Sequence, residues 1–170
     1  MNLRLIFFMF TLVITMNHVK LALASGESIL ENDIYSENKN ANCMTEEEHA
    51  ALKIRIMQDQ INVASRNCLN INKQLFTKLD KKLRKIFDSN NVILEVFFQK
   101  LGVDNPNKEL NYFITENANA ASLKSIYNKK IFCSEQQKII NDLLSIETKY
   151  ITQFAIKNIK QKISNPELCN

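Results

Sequence analysis

The sequence predicts an all-α protein, a disulfide-bonded four- to five-helix bundle of up-down topology. Three observations predict it. Apolar residues recur at helical spacing through most of the chain after residue 44. Two glycines and two prolines among 170 residues leave little material for hairpin turns. Four cysteines bracket the first and last expected helices, Cys43 and Cys68 around one, Cys133 and Cys169 around the other. At 45% hydrophobic the chain can bury a core, and its length suits one domain. Neither a strand pattern nor an internal repeat is visible.

The domain order follows from the N-terminus onward. Residues 1–24 read as a signal peptide: Arg4 is the positive charge, an apolar run covers residues 5–16, and Ala22-Leu23-Ala24 offers a small-x-small cleavage site. That run falls short of the roughly twenty residues a permanent membrane helix needs. Residues 25–42 read as a flexible polar leader, with Ile29, Leu30, Ile34 and Tyr35 as its apolar content. Residues 43–170 are the expected bundle domain.

Within it, Thr45 opens the first helix, and Glu48 completes a Thr-x-x-Glu capping box. Leu52, Ile56, Ala64 and Cys68 mark one buried face, joined by Ile61 or Val63; Lys53, Arg55, Gln58, Asp59 and Arg66 fall largely off it, so the helix reads as ordinary and amphipathic. Leu75, Leu79, Leu83 and Ile86 mark a second helix over 71–87. Asp88-Ser89-Asn90-Asn91 interrupts before an apolar stretch over 92–101, so either one long helix bends here or a short third one begins. Gly102 ends whichever it is. Asn105-Pro106 supplies a cap and a first helical position. Leu110, Phe113, Ile114, Ala118, Ala121, Leu123 and Ile126 carry that helix to about Asn128. The small run Ala118-Asn119-Ala120-Ala121-Ser122 admits a close neighbour. Ser134 and Gln137 form a capping box for a last helix over 134–163, which Asn165-Pro166 stops.

Unbroken helices constrain the cysteines. At about 1.5 Å per residue the first helix holds Cys43 and Cys68 some 35 Å apart, and the last separates Cys133 from Cys169 by roughly 45 Å. A disulfide needs Cα atoms within about 7 Å, so each bridge must tie the first helix to the last. Four long helices make those two antiparallel and pair Cys43 with Cys169 and Cys68 with Cys133. A full reversal at residues 88–91 flips the pairing to Cys43–Cys133 and Cys68–Cys169.

Composition and motifs argue against catalysis. Without residues 1–24 the chain loses Arg4 and Lys20 and carries 22 − 2 = 20 basic against 18 acidic residues, or +2. There is no Gly-rich phosphate loop, no His-Glu-x-x-His and no Gly-x-Ser-x-Gly. His49 lies in the acidic run Glu46-Glu47-Glu48 without partners at ligand spacing, and reads as a solvated first-turn residue. The chain reads as a non-enzyme with no cofactor or metal. Two features could contact a partner. Lys73, Lys78, Lys81, Lys82, Arg84 and Lys85 crowd the second helix with only Asp80 opposing, a basic patch or simply a solvated face. No aromatics interleave with them, which argues against nucleic acid. Phe97, Phe98, Tyr112 and Phe113 flank the Gly102 turn as expected core, and the 92–101 stretch becomes a docking surface if left uncovered.

The segments ALKIRIMQDQINVASRNC (51–68), ELNYFITENANAASL (109–123) and IFC (131–133) resemble an uncharacterised family of small, Sec-exported, four-cysteine helical proteins of alphaproteobacteria. The Lys, Asn and Ile bias is similar to that of AT-rich, insect-vectored members of the class. The resemblance spans roughly residues 43–154 and implies a Sec-exported protein, periplasmic or secreted, that touches membrane only during export. By analogy of compartment and size it implies a candidate effector that binds a host protein. The alternatives are a resident periplasmic structural or chaperone-like protein and a carrier of a small apolar ligand. Partner identity and oligomeric state are not legible.

Overall fold

The computed structural model describes residues 43–161, 163 and 166–169; the expected signal peptide (1–24) and leader (25–42) lie outside them. The fold is all-helical: α1 (Glu46–Asn67), α2 (Lys73–Lys100), α3 (Pro106–Tyr127), α4 (Lys129–Ser145), a 3₁₀ turn (Thr148–Tyr150) and α5 (Ile151–Asn158). An isolated parallel β-bridge joins Met44 to Leu168.

α1 starts where its capping box places it. Glu48 N–H donates to Thr45 Oγ1 at 3.2 Å, and Thr45 N–H donates to Glu48 Oε2 at 2.7 Å. Its packing corrects the expectation of a one-sided amphipathic helix. α2, α3, α4 and α5 all pack on it, and Lys53, Arg55 and Asp59 are buried together with the expected apolar residues. A helix surrounded by the rest of the chain has no solvent face on which to place its charges.

α2 resolves the first ambiguity. It runs unbroken for 28 residues through the 88–91 interruption. Asn90 turns inward and donates from Nδ2 to Ala51 O at 2.8 Å, while Ser89 Oγ donates back to Lys85 O at 2.9 Å. The polar tetrapeptide therefore supplies a contact between helices rather than a turn. Gly102, at φ 75°, ends the run in the left-handed region that glycine enters without a Cβ clash. Asn105 then caps α3 by accepting from Lys108 N–H at 3.0 Å, with Pro106 at the first helical position.

The last expected helix is corrected at both ends. α4 begins at Lys129, because Asn128 alone ends α3 and starts α4, so Ser134 lies inside a helix and caps nothing. Ile146 and Glu147 are extended (ψ 153° and 149°) and end α4 early. α5 follows the 3₁₀ turn and stops at Asn158. No glycine or proline lies at either break. Lysines from other helices satisfy the carbonyls instead. Lys82 of α2 donates from Nζ to Leu143 O (2.8 Å), Leu144 O (3.0 Å) and Ile146 O. Lys53 of α1 donates to Ile159 O (2.9 Å) and to Gln161 O. Each places a positive charge where the helix dipole is negative.

Cys43 is bonded to Cys169 and Cys68 to Cys133, with Cα atoms 4.7 and 5.5 Å apart. This is the antiparallel pairing. The described residues after Asn158 are not helical, and Cys169 meets the start of α1 without the continuous helix that was expected. The core between the helices is filled by Phe97, Phe98, Leu52, Met57, Leu83 and Ile140 among others.

Candidate interaction surface

The expected aromatic cluster is mostly core. Phe97 and Phe98 are buried with ring centroids 5.4 Å apart, and Phe98 meets Phe113 at 6.3 Å. Tyr112 is exposed. The 92–101 stretch is only partly covered: Leu94, Phe97, Phe98 and Leu101 point inward, whereas Val92 and Val96 form a small exposed pair one turn apart.

The expected basic patch is thinned. Lys73, Lys78, Lys81 and Lys85 are exposed along α2. Lys82 is withdrawn to hold the end of α4. Arg84 pairs with Asp80, and that bond, then its charge, holds the guanidinium above its ordinary pKa.

Burial places other charges where no solvent chemistry reaches them. Arg55 grips Asp59 through Nη2 (2.5 Å) and Nε (3.2 Å). Burial pushes the Asp59 carboxyl up to about 6, although the Arg55 bond and charge pull the other way. Gln161 Nε2 donates to Asn117 Oδ1 at 3.0 Å beside Lys53. His49 is half-buried rather than solvated, and burial, then Lys53, lowers its pKa. Among the described residues no three His, Cys, Asp or Glu side chains group to hold a metal ion, and no helix is long and apolar enough to cross a membrane.

The surface that the periodicity missed lies at the Cys68–Cys133 end. α3 is rotated from its expected apolar face: Leu110, Phe113, Asn117, Ala121 and Ser125 are buried, so the small run does allow a close neighbour. Leu123 and Ile126 consequently face outward. Asn67 Nδ2 donates to Ser125 Oγ at 2.7 Å and ties the end of α1 to the last turn of α3, while the disulfide ties it to the first turns of α4. Leu69 (83% exposed), Ile126 (70%), Tyr127 (73%) and Ile131 (61%) therefore share one pole with Leu123. Arg66, Lys73, Lys124, Lys129 and Lys130 are exposed around them. Residues 61–79 and 117–134, which build this pole, contain no Asp or Glu. The local signal was present in Ile126-Tyr127-Asn128-Lys129-Lys130-Ile131, apolar and basic residues without an acid. The rotation of α3 that exposes it was not.

Clefts among the described residues lie elsewhere. One of about 360 Å³ is lined by Ile146, Tyr150, Phe154 and Lys157 among others. Another, of about 320 Å³, lies between α1 and α2, with Gln58, Ile61, Phe76 and Phe87 in its lining.

No family model matches the chain, and no curated protein or solved structure is similar to it.

Proposed function

We propose that the chain is an exported, non-enzymatic interaction protein that works by binding through its Cys68–Cys133 pole, as an effector released beyond the cell. The observation that carries the reading is that pole. Val92, Val96, Tyr112, Tyr150, Ile156 and Leu168 are exposed elsewhere, but the four most exposed large apolar side chains among the described residues, Leu69, Tyr127, Ile126 and Ile131, gather here with Leu123, and exposed apolar groups of this kind mark contact surfaces. Two disulfides and no free cysteine among the described residues are compatible with an oxidising compartment. The effector role rests on the resemblance and on the export signal in residues 1–24.

The oxidised chain without residues 1–24, immobilised and exposed to bacterial periplasm and to host extract, should retain a saturable host component that reduction releases. Recovery from periplasm alone, or no host retention, overturns the effector role and leaves a resident envelope protein. Mapping peptides without reduction recovers Cys43–Cys169 and Cys68–Cys133; a Cys43–Cys68 peptide would overturn the bundle itself.

A further inference from the structure

We propose that the Cys68–Cys133 pole docks on the surface of an anionic phospholipid bilayer. The proposal rests on the pole being the binding surface and names what it binds. It departs from the expectation that membrane is met only during export.

The argument begins with charge. Arg66, Lys73, Lys78, Lys124, Lys129 and Lys130 fall in the two acid-free segments, giving +6 there, while residues 43–170 total 19 − 14 = +5. The remainder of those residues is therefore 5 − 6 = −1. The net positive charge of the bundle is therefore concentrated at this end, with the exposed Glu135 at its border, and draws it to an anionic surface.

The apolar groups select the kind of anion. Leu69 follows the end of α1, Ile126 and Tyr127 finish α3, and Ile131 lies in the first turn of α4. They project from two separate chain reversals, and none lines either cleft. Against a protein, such scattered knobs need a partner with matching pockets. A bilayer deforms around them: aliphatic tips enter the acyl boundary, Tyr127 sits at headgroup level, and lysine stems lie flat while their ammonium groups meet phosphate. Leu69, Ile126 and Ile131 would contribute nothing against a nucleic-acid backbone. A second copy would bring one basic pole against another. The Cys68–Cys133 bond and the Asn67–Ser125 hydrogen bond fix the two reversals side by side, so the knobs and charges present together.

The test is co-sedimentation of the oxidised chain with vesicles of phosphatidylcholine alone, and of phosphatidylcholine mixed with phosphatidylglycerol. Binding is expected only to the mixed vesicles, falling several-fold from low to physiological salt. Lys124→Glu with Lys129→Glu should weaken it by about tenfold or more. Ile126→Ser with Ile131→Ser should weaken it by about tenfold, even at low salt. These four positions are exposed, so circular dichroism and the Cys68–Cys133 peptide should be unchanged. Equal sedimentation with both vesicle types, or variants that bind as well as the parent, overturns the proposal. If vesicles fail while the Ile126→Ser, Ile131→Ser chain also loses a host protein, the pole is a protein-binding surface and only the lipid assignment falls. If that variant loses neither, the pole is not the binding surface and both readings fall.

Discussion

The two ends of the bundle are built on the same plan and finished differently. Each closes one end of α1 with a disulfide. At the Cys43–Cys169 end the chain is sealed: Met44 is buried and exchanges backbone hydrogen bonds with the tail, accepting from Cys169 N–H and donating to Glu167 O. Lys100 reaches across to Glu48 (2.7 Å) and to Cys43 O (3.0 Å). Burial alone would raise the Glu48 carboxyl, but the Lys100 and Thr45 bonds outweigh it and hold the pKa low. At the Cys68–Cys133 end the apolar side chains remain outside, ringed by cations. Equal covalent bracing with unequal surfaces separates what holds the molecule together from what it presents.

The largest test of that separation removes each bridge in turn. In the chain-entropy view, loops with sequence separations of 126 and 65 residues contribute about 5 and about 4 kcal/mol. Denaturant unfolding of Cys43→Ser, Cys169→Ser and of Cys68→Ser, Cys133→Ser should therefore show similar large losses. A loss confined to one end would mean that the ends are not equivalently braced.

Next in size is Lys53→Met. It leaves the carbonyls of Ile159 and Gln161 without their donor and should cost about 2–3 kcal/mol, with loss of helical signal from α5. Lys82→Met, at a less buried site, should cost about 1–2 kcal/mol. If neither is destabilising, the broken last helix has some other cause.

Acid should separate two carboxylates of α1 in opposite directions. Asp59 has a folded pKa near 6 against an ordinary 3.8, so the folded state binds its proton more readily than the unfolded state does. Its contribution is full below about pH 4 and is lost as pH rises through 6, on the order of 3 kcal/mol. Glu48 is lowered from 4.5; its contribution is present above that value and lost as pH falls through its folded pKa. Stability measured from pH 7 downward should first rise and then fall, and Asp59→Asn should remove the rise. Smallest of all, Arg84→Ala should leave unfolding unchanged, because its pair with Asp80 is fully solvated.

Local rules made much of this fold legible. The Thr45–Glu48 box, the Asn105-Pro106 start, Gly102 and the cysteine spacing are read from neighbouring residues and describe neighbouring atoms. One local rule failed, the Ser134–Gln137 box, because α4 already begins at Lys129; the other failures are tertiary. Lys53 and Lys82 looked like surface lysines, yet they terminate helices whose carbonyls lie 106 and 61–64 residues away in sequence. The 88–91 tetrapeptide left a bend and a break both open because Asn90 finds its partner on another helix. Ile126 looked buried because its spacing fits a helix face, but Asn117, Ala121 and Ser125 take the position against α1. Periodicity reports that a face exists; it does not report which face the neighbours choose.

The central place of α1 also sets a timetable. It is the first described helix to leave any machine that feeds the chain N-terminus first, and the last to be completed. Lys53 waits for Ile159 and Gln161, and Cys43 waits for Cys169, 126 residues later. Until those residues emerge, the nascent helix lacks the α5 part of its wrapping and its seal. Such contacts between distant parts of the sequence delay folding, so the surroundings of α1 are completed only when Ile159, Gln161 and Cys169 join them.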